Sequence, residues 1–261
     1  MASNLLKVPD NYSLAALHVH SVYSDGMETV EKIILAAADR GIGVLALTDH
    51  DTVASYKVAK VLGKKFGVDI VMGEEIQTSL PRGLHIIGLF LKDYVAHSRG
   101  VVQTIKSIRE QGGLAIIAHP MVKIANLVNA PTGSFQAGDI MRLIEISSVD
   151  GVEIRHPYIN DRDLLAIDKL YEENMDRLGA KIGSSDSHFG QRDLFSFMTL
   201  FKGSSSQDLF KAIENRTTQV YEGIGDQPIG LVEKLSQNHK SIIKLGIKRY
   251  AQFAINKFNL L

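Results

Sequence analysis

LHVHSVYSDG, residues 17–26, closes a short apolar run with His18 and His20 one residue apart and sets Asp25 five positions further on. Alternate residues of an extended chain point to the same side, so His18 and His20 can grip one ion or two neighbouring ions without a bend. Outward from this stretch the chain reads as short apolar runs separated by amphipathic segments. The apolar pattern predicts strands at LAALHV (14–19), GVLALT (43–48), VDIVMG (68–73), LHIIGLFL (84–91), LAIIAH (114–119), GVEIR (151–155) and AKIGSS (180–185). Helical periodicity is predicted over 28–41, where Gly41 closes the segment, after Thr48 through about 65, over 98–111 and over 161–177. Near-continuous apolar strands alternating with helices imply a parallel sheet covered on both faces, and seven such units imply an α/β barrel.

The strand ends carry the chemistry. Asp49, His50 and Asp51 follow the second strand, Glu74 and Glu75 the third; His85 opens the next, His119 ends the fifth, and Asp186 and His188 follow the last. Taken singly, each has an ordinary explanation: Asp49 could cap a helix, His119 before Pro120 could merely end a strand, and Glu74 and Glu75 could be solvated. In parallel α/β folds, however, the carboxyl ends of the strands form the functional face, so these groups converge on one rim.

Composition narrows the chemistry. The 261 residues are 45% hydrophobic, enough for a sizeable core. Twenty-nine basic residues balance 29 acidic ones, which excludes a global field for nucleic acid or anionic membrane. There is no cysteine, so a metal must be held by His, Asp and Glu, a donor set suited to manganese, zinc or iron. The N-terminus lacks an apolar signal core and no segment approaches the roughly 20 apolar residues of a membrane helix, so no membrane span and a cytoplasmic location are expected.

The ordered segments LHVHSVYSDG, ALTDHDT, GEEIQT with LHIIG, IIAHP and GSSDSH resemble the motifs of the polymerase and histidinol phosphatase (PHP) family of metal-dependent phosphoesterases, from about Leu17 to Gly223. The resemblance implies a distorted (β/α)7 barrel with a centre of two or three metals at the C-terminal ends of the strands. It implies ligands at His18, His20, Asp25, His50, Glu75, His85, His119, Asp186 and His188, all but His85 also counted as catalytic. The partition it suggests gives one ion His18, His20, Glu75 and Asp186, a second Asp25, His50 and His188, and a third Glu75, His85 and His119. Glu75 rather than Glu74 matches the family pattern, two positions after Gly73.

The implied activity is phosphoester hydrolysis by a metal-bridging hydroxide acting on a small phosphorylated metabolite, with nucleotides or short RNA as further candidates. An amidohydrolase-type C–N hydrolase and a non-catalytic metal-binding interaction protein are the alternatives. Lys123, Arg155, His156 and Arg192 lie after site strands and are candidates for holding phosphate oxygens, while Asp51 could orient a ligating histidine. Relatives resembling nucleotide phosphatases and RNA exonucleases often carry a helical insertion before the AHP strand; the interval from His85 to His119 lacks room for it, which leaves residues 121–139 as a candidate lid. The expected division is a barrel domain over 1–223 and an amphipathic helical extension over 224–261 with a Lys/Arg-rich face. Such a basic amphipathic extension is expected to pack on its own barrel or on a second copy in a homo-oligomer, with a membrane surface or an acidic partner as the alternatives.

Overall fold

The computed structural model describes residues 6–79, 84–122, 134–225 and 227–243. Its elements run β1 (Tyr12–Ala16), α1 (Val30–Arg40), β2 (Ile42–Leu47), α2 (Tyr56–Phe66), β3 (Asp69–Gln77), β4 (His85–Leu89), α3 (Val101–Glu110), β5 (Leu114–Ile117), α4 (Ala137–Ile146), β6 (Gly151–Arg155), α5 (Asp161–Leu178), β7 (Ala180–Gly183), β8 (Phe197–Lys202), α6 (Ser206–Glu214) and β9 (Gln219–Glu222). A further helix covers 231–243. No helix among the described residues is long and apolar enough to cross a membrane.

The strands form one nearly closed, barrel-shaped sheet in the order β7-β6-β5-β4-β3-β2-β1-β8-β9. The seven expected strands are β1 to β7, but the sheet is mixed. β4 is antiparallel to both β3 and β5, and β8 is antiparallel to both β1 and β9. β1, β2, β3, β5, β6, β7 and β9 therefore share one direction. The link from Gln77 to His85 explains the first reversal: it is shorter than the dozen or more residues a parallel crossover requires, so the chain turns back as a hairpin.

Ala and β-branched side chains fill the barrel. Ala15, Val44, Ala46, Val71, Ile87, Ile116 and Ile182 are buried in one interior cluster with Leu17 and Phe201. The helices cover the outside with their apolar faces. On α1, Ile33 and Ile34 are fully buried, the Thr29 hydroxyl accepts from Lys32 N, and Gly41 ends the helix at φ 78°, a left-handed turn that glycine takes without strain.

The seam between the two ends of the sheet is closed by hydroxyls. Thr199 Oγ1 of β8 accepts from Gly183 N at 3.2 Å and donates to Gly183 O at 3.1 Å, and Thr218 Oγ1 donates to Lys181 O at 2.7 Å. Gly183 has no room for a side chain, since a Cβ there would stand 2.3 Å from Met198 O. Between His85 and His119 the chain contains only β4, α3, β5 and their loops, so no helical insertion stands beside the site. Of the candidate lid over 121–139, residues 123–133 lie outside the described residues, Met121 and Val122 are buried, and the end of the stretch forms the first turn of α4.

Candidate metal centre

β1 ends at Ala16, and the histidines ride on an extended continuation of it. That continuation is clamped on both sides: Thr48 N donates to Val19 O at 2.9 Å, His20 N to Ser187 O at 2.8 Å, and Ser187 N to His18 O at 3.2 Å. Alternation then turns His18 and His20 to the same side, both essentially fully buried. Asp49 does not cap a helix. Its carboxylate accepts from Ser21 N, Ser21 Oγ and Ser24 Oγ at 2.7–3.0 Å and so fixes the loop that delivers Asp25. The two-residue alternation of a strand does not continue there, and Tyr23 N donating to Ser21 Oγ and Val22 N donating to Glu28 O hold the same loop.

Glu75 stands at the centre. Its Oε2 lies 3.1 Å from His18 Nε2, from His20 Nε2 and from His50 Nδ1, and its Oε1 lies 2.7 Å from His85 Nδ1 and 2.9 Å from His119 Nε2. Its neighbour Glu74 points to the opposite side of β3, where its Oε2 accepts from Val95 N at 2.8 Å. Asp51 Oδ1 accepts from Gln77 N at 2.9 Å and anchors β3 beside Glu75.

Around this carboxylate the donors fall into three groups, each with atoms within 4.8 Å of one another: His18, His20, Glu75 and Asp186; His20, Asp25, His50 and His188; and His50, Glu75 and His85. The first is the expected set. The second adds His20 to the expected three residues, and the third has His50 beside Glu75 and His85. His119 Nε2 also reaches this third group, 3.3 Å from His85 Nδ1.

The fit to cations rests on unsatisfied polar atoms. His18 Nε2, His20 Nε2, His50 Nδ1, Glu75 Oε2 and Asp25 Oδ1 are buried and find no hydrogen-bond partner among the described residues. Such an arrangement is costly unless a cation takes the lone pairs. Imidazole nitrogens and carboxylate oxygens are borderline donors that suit zinc, manganese or iron.

The electrostatics show how strongly the groups are coupled. Burial alone would raise the Glu75, Asp25 and Asp186 carboxyls, yet the surrounding imidazoles hold all three well below the usual carboxylate range. Burial lowers the His188 imidazolium, but Asp25 and Asp186 outweigh it and push its pKa up to about 10. His18 is raised well above its ordinary value by Asp186, Glu75 and Glu153 against the same burial, while burial dominates at His50 and drives it well below. His119 and Asp186 have φ values of 27° and 48°, left-handed conformations that cost a non-glycine residue on the order of 1 kcal/mol or more, and both lie at this centre.

The four candidates for phosphate contact separate. His156 is buried beside the centre, with Nε2 3.4 Å from Asp186 Oδ2. Arg155 is committed to Asp168 of α5 at 2.7 and 3.0 Å, and Arg192 is held by Glu233 at 2.7 and 3.0 Å. Lys123 lies outside the described residues. Two carboxylates absent from the expected set complete the surroundings. Glu153 of β6 lies 2.9 Å from His18 Nδ1 and accepts from His119 N. Asp193 accepts from Ser187 Oγ, His188 N and Phe189 N and so shapes the Asp186–His188 turn. Glu153 was detectable as the lone inward carboxylate of GVEIR, between outward Val152 and Ile154; nothing in QRDLF marks Asp193.

A barrel with a buried histidine–carboxylate cluster at one end, able to hold several divalent cations, defines the class of protein. More particularly, the PHP domain model matches residues 16–231, and the chain belongs to that family. An uncharacterized protein of Methanocaldococcus jannaschii is 35% identical over 172 residues, 61% of this chain and 92% of that protein. A 5'-3' exoribonuclease of Haemophilus influenzae is 36% identical over 101 residues, but the match spans 38% of this chain and only 37% of the enzyme. Among solved structures, a two-domain protein of Bacteroides vulgatus described as containing a predicted PHP-like metal-dependent phosphoesterase shares the fold. Its TM-score is 0.68 at 21% identity, covering 85% of this chain and 69% of that one.

Proposed function

We propose that this chain is a metal-dependent hydrolase of phosphate esters, acting on a small phosphorylated metabolite or nucleotide, with short RNA as the larger candidate. The observation that carries the reading is the Glu75 carboxylate ringed by nitrogens of five histidines within 3.1 Å. The similarity to an exoribonuclease, itself an enzyme of phosphate esters, points the same way.

His18, His20, Glu75 and Asp186 would hold one ion, His20, Asp25, His50 and His188 a second, and Glu75 with His50, His85 and His119 a third, manganese, zinc or iron being the ions of matching chemistry. When bound, the cations supply positive charge that lowers the pKa of water and offsets charge on phosphoryl oxygens. The protein's own part is to hold the donors rigidly. Glu153 takes the proton side of the His18 ring, leaving Nε2 toward the centre, and Ser134 Oγ, 3.1 Å from His119 Nδ1, does the same for His119. His156 is set to contact substrate. Tyr158 N donates to its Nδ1 at 3.2 Å, which puts the ring proton on Nε2 at the edge of the centre, where it can donate to a phosphoryl oxygen.

The test is phosphate release from a panel of phosphomonoesters, nucleotides and short RNA by metal-reconstituted protein, beside elemental analysis. The expected result is release with two or three ions per chain, and loss of both metal and rate in His18→Ala and Asp186→Asn. Full occupancy with no release from any member of the panel would refute the proposal.

A further inference from the structure

The helix over 231–243 lies on the rim of the metal centre with its polar side down. Glu233, Gln237 and Lys240 recur at helical spacing and so share a face. Glu233 accepts two hydrogen bonds from the Arg192 guanidinium at 2.7 and 3.0 Å, Gln237 Nε2 donates to Asp25 Oδ2 at 3.2 Å, and Lys240 Nζ donates to Gly26 O. One of these partners, Asp25, belongs to the donor groups themselves. The apolar side of the same helix faces away from the barrel, with Leu231 74%, Val232 78% and Ile242 66% exposed. Polar contacts hold the helix down at these positions, and water or an anion can replace them.

The contact on Arg192 is chemically specific. A guanidinium offers parallel N–H donors that fit a carboxylate and a phosphate equally well. Arg192 follows the turn that carries Asp186 and His188, and Phe189 lies under it, 5.5 Å from the guanidinium carbon to the ring centroid. Glu233 thus fills, with two carboxylate oxygens, a fork that suits two phosphate oxygens.

We propose that Arg192 is a specificity-determining residue of the site and that the helix over 231–243 is its latch: Glu233 occupies the guanidinium until a phosphate group takes it, and the helix then leaves Asp25 and Gly26. The inference rests on the phosphoesterase reading and adds a gate to it. Competition of this kind weakens phosphate binding in the resting protein and couples entry of the anion to exposure of the rim.

Inorganic phosphate is the probe, titrated into the metal-reconstituted full chain by calorimetry while amide hydrogen exchange is followed over 231–243. Saturating phosphate is expected to speed exchange in the helix. Glu233→Gln, which keeps an acceptor for the Gly230 N–H at the helix start, is expected to speed it without phosphate and to tighten phosphate binding about two- to fivefold, the range of an exposed ion pair. Arg192→Ala is expected to weaken phosphate binding and to abolish the response of the helix. If phosphate binds and esters are hydrolysed, yet helix exchange is unchanged or slowed, or either variant binds phosphate like wild type, the latch is refuted and the phosphoesterase stands. If neither wild type nor Glu233→Gln binds phosphate and no ester is cleaved, both fall, and Arg192–Glu233 is a structural pair.

Discussion

Glu153→Gln isolates the contribution of a residue that touches no proposed ion. The Glu153 carboxylate is 1% exposed and serves two donors, the His18 ring at 2.9 Å and the His119 backbone N–H. Burial would raise its pKa, but His18 holds it below the usual carboxylate range, so it works as an anion. Glutamine keeps the shape and one acceptor oxygen but must turn an NH2 toward the other donor. Losing one buried hydrogen bond to a charged group costs about 1.5–3 kcal/mol. For a chain of this size that lowers the melting temperature of the metal-free protein by about 3–12 °C.

The same change frees the His18 ring to rotate and removes the anion that keeps its proton on Nδ1. Affinity for manganese or zinc is then expected to fall about 10- to 100-fold, with the number of bound ions unchanged at saturation. Titration of chelator-stripped protein against a competing indicator measures both quantities. His18→Ala provides the contrast, because deleting a donor lowers the stoichiometry itself. An affinity within about twofold of wild type and a melting temperature within about 1 °C would refute the claim that Glu153 positions the site.

Metal loading is expected to release protons. His188 is pushed up to about 10 and His18 well above its ordinary value, so in the metal-free protein both carry protons at neutral pH that a cation must displace. Apparent metal affinity therefore falls as pH falls, and calorimetry in two buffers of different ionisation enthalpy should show at least about one proton released per chain on loading; identical heats would contradict it. At the barrel seam, Gly183→Ala places a methyl group against Met198 O and Val220, and overpacking of this kind costs about 1–3 kcal/mol. The urea midpoint should fall with the slope unchanged, and an unmoved midpoint would show that β7 and β8 are not held as closely as Thr199 implies.

The sequence by itself determined the seven strand positions of β1 to β7, four of the covering helices and the residue types of the histidine–carboxylate cluster at their ends. Apolar runs and two-residue alternation are local properties, so LHVH already presents His18 and His20 on one side wherever the strand is placed. Tertiary structure decided the rest. The direction of β4 depends on the length of a link rather than on its apolar pattern, and β8, β9, α4 and α6 were not among the expected elements. Glu153 and Asp193 act through bonds to residues far along the chain or through a turn, so their roles exist only once β6 lies beside His18 and the Asp186 turn closes. Arg155 and Arg192 looked alike as cations following site strands; which one faces the rim was settled by their partners, Asp168 on α5 for one and Glu233 on the C-terminal helix for the other. A side chain's type is written in the sequence, but the carboxylate that claims it is chosen by packing.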